Sequence, residues 1–144
     1  MVISKSYLIF LMAIILGVVF DIFFEFSFIN NTLYKYLGLL LMAFGTILIY
    51  WAQSSSSKAK KEFIKNNRQD FNFGYGPYRF FRHPSYLGVA ILSLGFGLVI
   101  GSVFSLIFSV LAYFIIIIIF ASHEEKILEY KHKEKYINYK KKVK

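Results

Sequence analysis

The chain has 144 residues, 57% of them hydrophobic and 20% aromatic, and carries 17 lysines and arginines against 8 acidic side chains, for a net charge of +9. A mean hydropathy of +0.54 and this apolar content exclude an ordinary soluble domain and place the chain in lipid, while the absence of cysteine excludes disulfides, thiolate nucleophiles and cysteine-based metal sites. The basic residues flank apolar segments, so attraction to anionic lipid head groups accounts for them without a nucleic-acid partner.

A helix rising about 1.5 Å per residue needs roughly 17 to 25 apolar residues to cross the hydrocarbon. Four segments can be read as spans on that basis, the third at its short limit: residues 7–24, 33–52, 85–100 and 102–121. The first opens after Lys5 like a secretory signal, but no small-residue cleavage site follows and the apolar pattern continues past Phe20, so it reads as a retained span. Asp21 and Glu25 fall in a short loop after it, and Asn30-Asn31-Thr32 fits a glycosylation sequon by the accident of a polar turn. After the second span, residues 53–83 read as a loop opening on the run Ser54 to Ser57. Its Lys58 to Lys65 stretch is able to extend the second helix, while Asn66-Asn67, Gly74 and Gly76-Pro77 mark an irregular half. Phe71, Phe73, Tyr75, Tyr78, Phe80 and Phe81 are too many aromatics for a solvated linker and suit an interfacial belt or the wall of a pocket.

Residues 85–122 contain no Asp, Glu, Lys or Arg, and Gly101-Ser102 near the middle offers a turn, so this stretch reads as a tight helical hairpin. Of the basic residues only Lys35 falls outside the predicted inner side, which puts both termini in the cytoplasm. Beyond Ser122 the chain is charged but keeps a helical stripe of Glu125, Leu128, His132, Tyr136, Tyr139 and Val143, the pattern of one amphipathic helix. The expectation is one all-α membrane domain over residues 1–144: two N-terminal spans to residue 52, a loop over 53–83, a hairpin over 84–121 and a basic tail over 122–144.

A hairpin returns to the side it left, bringing His83, Ser85 and Tyr86 close to His123, Glu124 and Glu125. Singly these residues have structural explanations: Arg82 as a snorkelling anchor, Pro84 as a first-turn residue, the glutamates as a solvated helix end. Clustered at a membrane boundary among aromatics, they form a candidate site.

The run Gly76-Pro77-Tyr78-Arg79-Phe80-Phe81-Arg82-His83-Pro84-Ser85-Tyr86-Leu87-Gly88 resembles the signature of the isoprenylcysteine carboxyl methyltransferase family, which is related to phospholipid methyltransferases. That family continues with a Glu-Glu-x-x-Leu element and two tyrosines three apart, matched by Glu124-Glu125-Lys126-Ile127-Leu128 and by Tyr136 and Tyr139. The resemblance implies an integral-membrane methyltransferase that binds S-adenosylmethionine at the cytoplasmic side and methylates a lipophilic small-molecule or lipid-modified acceptor. It implies a cofactor pocket of Tyr78, His83, Pro84, Ser85, Tyr86 and Glu124, with Glu124 and His83 as the catalytic candidates. A carboxylate neutralises the cofactor's cationic groups, aromatic faces pack on adenine or sulfonium, and N-H groups at a helix start suit its carboxylate. The Arg that carboxyl-methylating members carry one turn before the first Glu is Phe120 here, and their aromatic-Gly pair before the tyrosines is His132-Lys133, which leaves the acceptor open. Gly95-Phe96-Gly97 with Gly101 resembles a glycine element of the phospholipid enzymes, although close helix packing explains it more simply. Two other readings stand beside this one: a nicotinamide-dependent membrane reductase of related fold, and a non-catalytic protein binding lipid or a partner.

Overall fold

The computed structural model describes residues 2–24, 31–65 and 71–143. Glu25, Asn30, Asn66 and Asn67, named above, lie outside them. The regular structure of the described residues is all helical, with no strand. In chain order they form α1 (Val2–Phe23), α2 (Thr32–Lys65), a 3₁₀ turn (Gly76–Arg79), α3 (Pro84–Ile100), α4 (Val103–Ile116), a π-helical segment (Ile117–Ala121), α5 (Ser122–His132) and α6 (Glu134–Lys142). Two continuous helical stretches are long and apolar enough to cross a membrane, Thr32–Lys65 and Val103–His132; Tyr7–Phe23 and Pro84–Ile100 are shorter apolar helices.

Small residues set how the helices pack. On α2, a Cβ at Gly38 would lie 2.6 Å from the Gly95 carbonyl and one at Gly45 would lie 2.7 Å from the Gly88 carbonyl. Each helix thus presents two glycines seven residues apart, paired antiparallel, and the backbones approach closely through dispersion and carbonyl contacts. Gly97 packs on Leu106, and Gly101 takes a left-handed φ of 79° between α3 and α4. Gly95 and Gly97 therefore work in packing. A core of Phe10 and Ala13 from α1, Tyr86, Val89 and Ala90 from α3, and Ala112 and Ile116 from α4 fills the centre. Leu39, Leu40, Phe44, Ile47, Phe114 and Ile118 remain exposed around it, an apolar surface suited to lipid.

Three local readings of the sequence change. Asp21 is not in a loop: it belongs to α1 and is only 2% exposed, accepting a short hydrogen bond from Ser102 Oγ and a longer one from the Phe104 N-H at 3.4 Å. Ser102 in turn caps α4 by accepting from the Ser105 N-H at 3.1 Å, so a carboxylate on α1 meets the positive end of α4. Second, α2 does not end near Ala52 but runs through the serine stretch to Lys65, because Ser55 and Ala59 are buried beneath the following segment. Third, the tail is two helices. Lys133 separates them with φ 45° and ψ −123°, a conformation strained for any residue but glycine.

Candidate functional site

Pro84 locks the first turn of α3, fully buried, with its missing N-H at a position that needs none. His83 occupies the N-cap position before it, and its ring stacks on Tyr86 at 5.6 Å with 13° between planes. From the other side, the unbroken helix from α4 through the π segment delivers Glu124 and Glu125 to the same place. Glu125 Oε1 accepts from Arg82 at 2.9 Å and from His83 Nε2 at 3.1 Å, while its Oε2 lies 2.7 Å from Lys140 Nζ. Glu124 Oε2 lies 3.9 Å from His83 Nδ1. The histidine thus stands between two adjacent glutamates, one on each ring nitrogen.

A cavity of about 200 Å³ opens here, walled by Tyr78, His83, Ser85, Tyr86 and Glu124 together with Ser56 on α2, Phe71 and Phe73 on the connecting segment, and Tyr136 and Tyr139 on α6. Five of the six sequence-predicted cofactor residues are brought together; Pro84 sits buried behind them and shapes the turn. His123 is exposed and not part of the wall. Phe71, Phe73, Tyr75 and Tyr78 line the cavity, whereas Phe80 and Phe81 point elsewhere.

Burial raises the Tyr78 phenol above its ordinary range, an effect partly offset by hydrogen bonds with the Ser85 and Ser56 hydroxyls, which tie the segment to α3 and α2. The Tyr139 hydroxyl donates to the Tyr78 carbonyl at 2.6 Å, fastening α6 over the cavity. Burial also raises the Tyr136 and Tyr139 phenols, so all three present neutral hydroxyls at ordinary pH. His132 closes the aromatic wall, packed on Phe63, Phe71 and Phe73.

A second cavity, of about 310 Å³, lies between α3 and the π segment, lined by Leu87, Tyr113, Ile117, Ser122 and Glu125 among others. Arg82 and His83 belong to both walls. Glu124 therefore serves the first cavity and Glu125 the second. The Arg82-Glu125-Lys140 linkage and the role of Ser56 were missed in the sequence; the side-by-side pairs Arg82-His83 and Glu124-Glu125 were the available signal for the former.

The model of the phospholipid methyltransferase family matches residues 33–135, covering α2 through α5 and every residue of the polar cluster except Lys140. The chain belongs to that family. This agrees with the methyltransferase signature at Gly76 to Gly88, and with the exposed apolar helices it makes the chain a membrane protein of a methyltransferase family. No curated protein and no solved structure matches it.

Proposed function

We propose that the protein transfers a methyl group from S-adenosylmethionine to a lipophilic, membrane-embedded acceptor at the cytoplasmic face, with four spans, α3 and α4 as a hairpin, and both termini in the cytoplasm. The observation that carries this reading is the shared wall: Arg82 and His83 border two cavities at once, one aromatic and polar, the other reaching into the apolar face between α3 and the π segment.

The first cavity fits the cofactor's chemistry. Among the described residues no cation lies closer to Glu124 than His83 at 3.9 Å, which leaves its carboxylate for an ammonium or sulfonium partner. Phe73, Tyr78 and Tyr86 offer aromatic faces, and Ser85 a hydroxyl and a first-turn N-H. At about 200 Å³ the space is smaller than the roughly 300–1,000 Å³ of ordinary small-molecule pockets, so α6 or the 71–75 segment yields when a ligand of that size enters. When bound, S-adenosylmethionine supplies an already activated methyl group. The protein's part is then orientation and exclusion of water.

The second cavity suits the head of an amphiphile whose tail lies along the lipid-facing side of α4. If that head is an amine or hydroxyl, it must lose a proton. His83 donates through Nε2 to Glu125 when neutral, which leaves the Nδ1 lone pair beside Glu124 free to take it. A carboxylate head needs no base. Phe120, where carboxyl-methylating relatives of the resembling family carry Arg, leaves Arg82 as the cation nearest such a head.

Calorimetric titration of detergent-purified protein with S-adenosylmethionine and S-adenosylhomocysteine tests the reading. Saturable binding that Glu124→Gln weakens supports it; no heat with either ligand, or binding of NADPH instead, rejects it.

A further inference from the structure

Outside both cavities lies a third recess, a groove of about 370 Å³ walled in part by Trp51 of α2, by Asn72, Tyr75 and Gly76, and by Arg79 and Phe80 of the 3₁₀ turn. Gly76 fixes how these pieces meet. Its φ is 55°, and a Cβ there would lie 2.1 Å from Ser55 Oγ and 3.1 Å from Trp51 Nε1, so the turn rests directly on α2 and keeps Arg79 in the same groove as the indole. Tyr75 is pinned by its hydroxyl to Glu62 at 2.5 Å and serves as a fixed wall. Among the described residues the Arg79 guanidinium and the Trp51 indole N-H make no hydrogen bond or ion pair.

The surroundings set the groove's level relative to a bilayer. Tyr50, Trp51, Phe80 and Phe81 are 74%, 47%, 63% and 46% exposed, while Lys58, Lys60 and Lys61 follow on the next turns of α2. Exposed aromatics bordered by lysines mark the depth of lipid head groups. There a planar guanidinium fork matches a phosphate through two parallel hydrogen bonds, and an indole N-H adds a third donor.

We propose that this groove binds the phosphate of a phospholipid head group through Arg79 and Trp51, as a lipid site distinct from the acceptor cavity. It rests on the chain's being a membrane protein and not on methyl transfer. The bound lipid would fasten the 3₁₀ turn, and with it the wall carrying Tyr78, to the bilayer surface.

Trp51 is the single tryptophan of the chain, so its emission reports on this groove alone. Protein in detergent is titrated with short-chain phosphatidylglycerol, with diacylglycerol of the same chains, and with inorganic phosphate. The expected result is a saturable emission shift with the phospholipid, at a midpoint at least tenfold below that of phosphate, and no shift with diacylglycerol. Arg79→Gln should raise the midpoint at least tenfold, Arg79→Lys only a few-fold, and Lys141→Gln on the exposed face of α6 not at all. A diacylglycerol response equal to the phospholipid's means chain partitioning, and an equal phosphate response means a free-anion site; either overturns the proposal. So does an unchanged midpoint in Arg79→Gln. Should that variant not fold, native mass spectrometry of Trp51→Phe reads the second donor, and lipid retention equal to the parent's is the overturning result. S-adenosylhomocysteine binding, measured alongside, should be unaltered in each variant, which separates failure here from failure of the methyl-transfer reading.

Discussion

The helix running from α4 into α5 begins and ends in a polar cluster, and the two clusters differ in what lies beyond them. At its start, Asp21 from α1 accepts from Ser102, the Ser102 and Ser105 hydroxyls lie 2.6 Å apart, and Ser105 Oγ lies 3.1 Å from the Ile14 carbonyl. Every partner is protein, and none of these side chains lines a cavity described above. Toward its far end, Glu125 gathers Arg82, His83 and Lys140, yet the group borders two cavities, and among the described residues the cation nearest Glu124 is His83 at 3.9 Å. A carboxylate enclosed by its own donors fastens helices; a carboxylate beside an open cavity is available to a ligand.

Glu124→Gln should separate the clusters most sharply. Removing one charged partner of a cationic ligand costs about 1.5–3 kcal/mol, or roughly 10- to 150-fold in affinity, so S-adenosylmethionine binding should fall by that factor with the melting temperature of the apoprotein unchanged. Asp21→Ala should do the reverse. Leaving buried donors without their acceptor costs about 1–3 kcal/mol, read as a lower melting temperature in detergent, while calorimetric affinity per folded molecule is retained. If Asp21→Ala instead lost ligand binding at unchanged stability, the contrast would be wrong.

Smaller changes sharpen the picture around α6. Tyr139→Phe removes the hydrogen bond to the Tyr78 carbonyl and should cost about 0.5–1.5 kcal/mol, with faster ligand release measured by stopped-flow. Lys133→Gly relieves a backbone strain of about 1–3 kcal/mol but loses roughly 0.5–1 kcal/mol to glycine's freedom in the unfolded chain, so a modest rise in melting temperature is expected. The gentlest effect is that of alkali. The phenols of Tyr78, Tyr136 and Tyr139 are raised in the folded chain, so their contribution is complete below the unfolded value of about 10 and is lost as pH climbs above it. Melting temperature should be flat from about pH 7 to 9 and decline beyond about 10, with a shallower decline in Tyr136→Phe.

Much of the site could be read because its signals are local. Proline before an uncharged run announces a helix start, and the structure begins α3 at Pro84. Glu124 of the adjacent pair, Phe71, Phe73, Tyr75 and Tyr78 of the aromatic-rich segment, and Leu128, Tyr136 and Tyr139 of the tail stripe all line one cavity. What could not be read depends on partners remote in sequence. Ser54 to Ser57 carry turn-like residues, but burial of Ser55 under Gly76 holds them in helix. Asp21 looks like a loop acid until its partner 81 residues away is known. The division of the tail at Lys133 had one faint trace, since the resembling family places glycine at the matching position, where this chain has lysine in a conformation glycine adopts without strain.

The π-helical segment Ile117–Ala121 acts as a register dial for everything after it. A π turn holds one residue more than an α turn, and each residue advances a helix by about 100°. Wound as an ordinary α-helix of the same length, the segment would swing Glu124 and Glu125 about 100° around the axis, away from His83 and the cavities they now serve. Such a protein would keep its spans, its core and its charge while losing the division of labour between two neighbouring acids. The chemistry at Arg82 and His83 thus depends on a length measured inside the apolar helix, where no residue bears a charge.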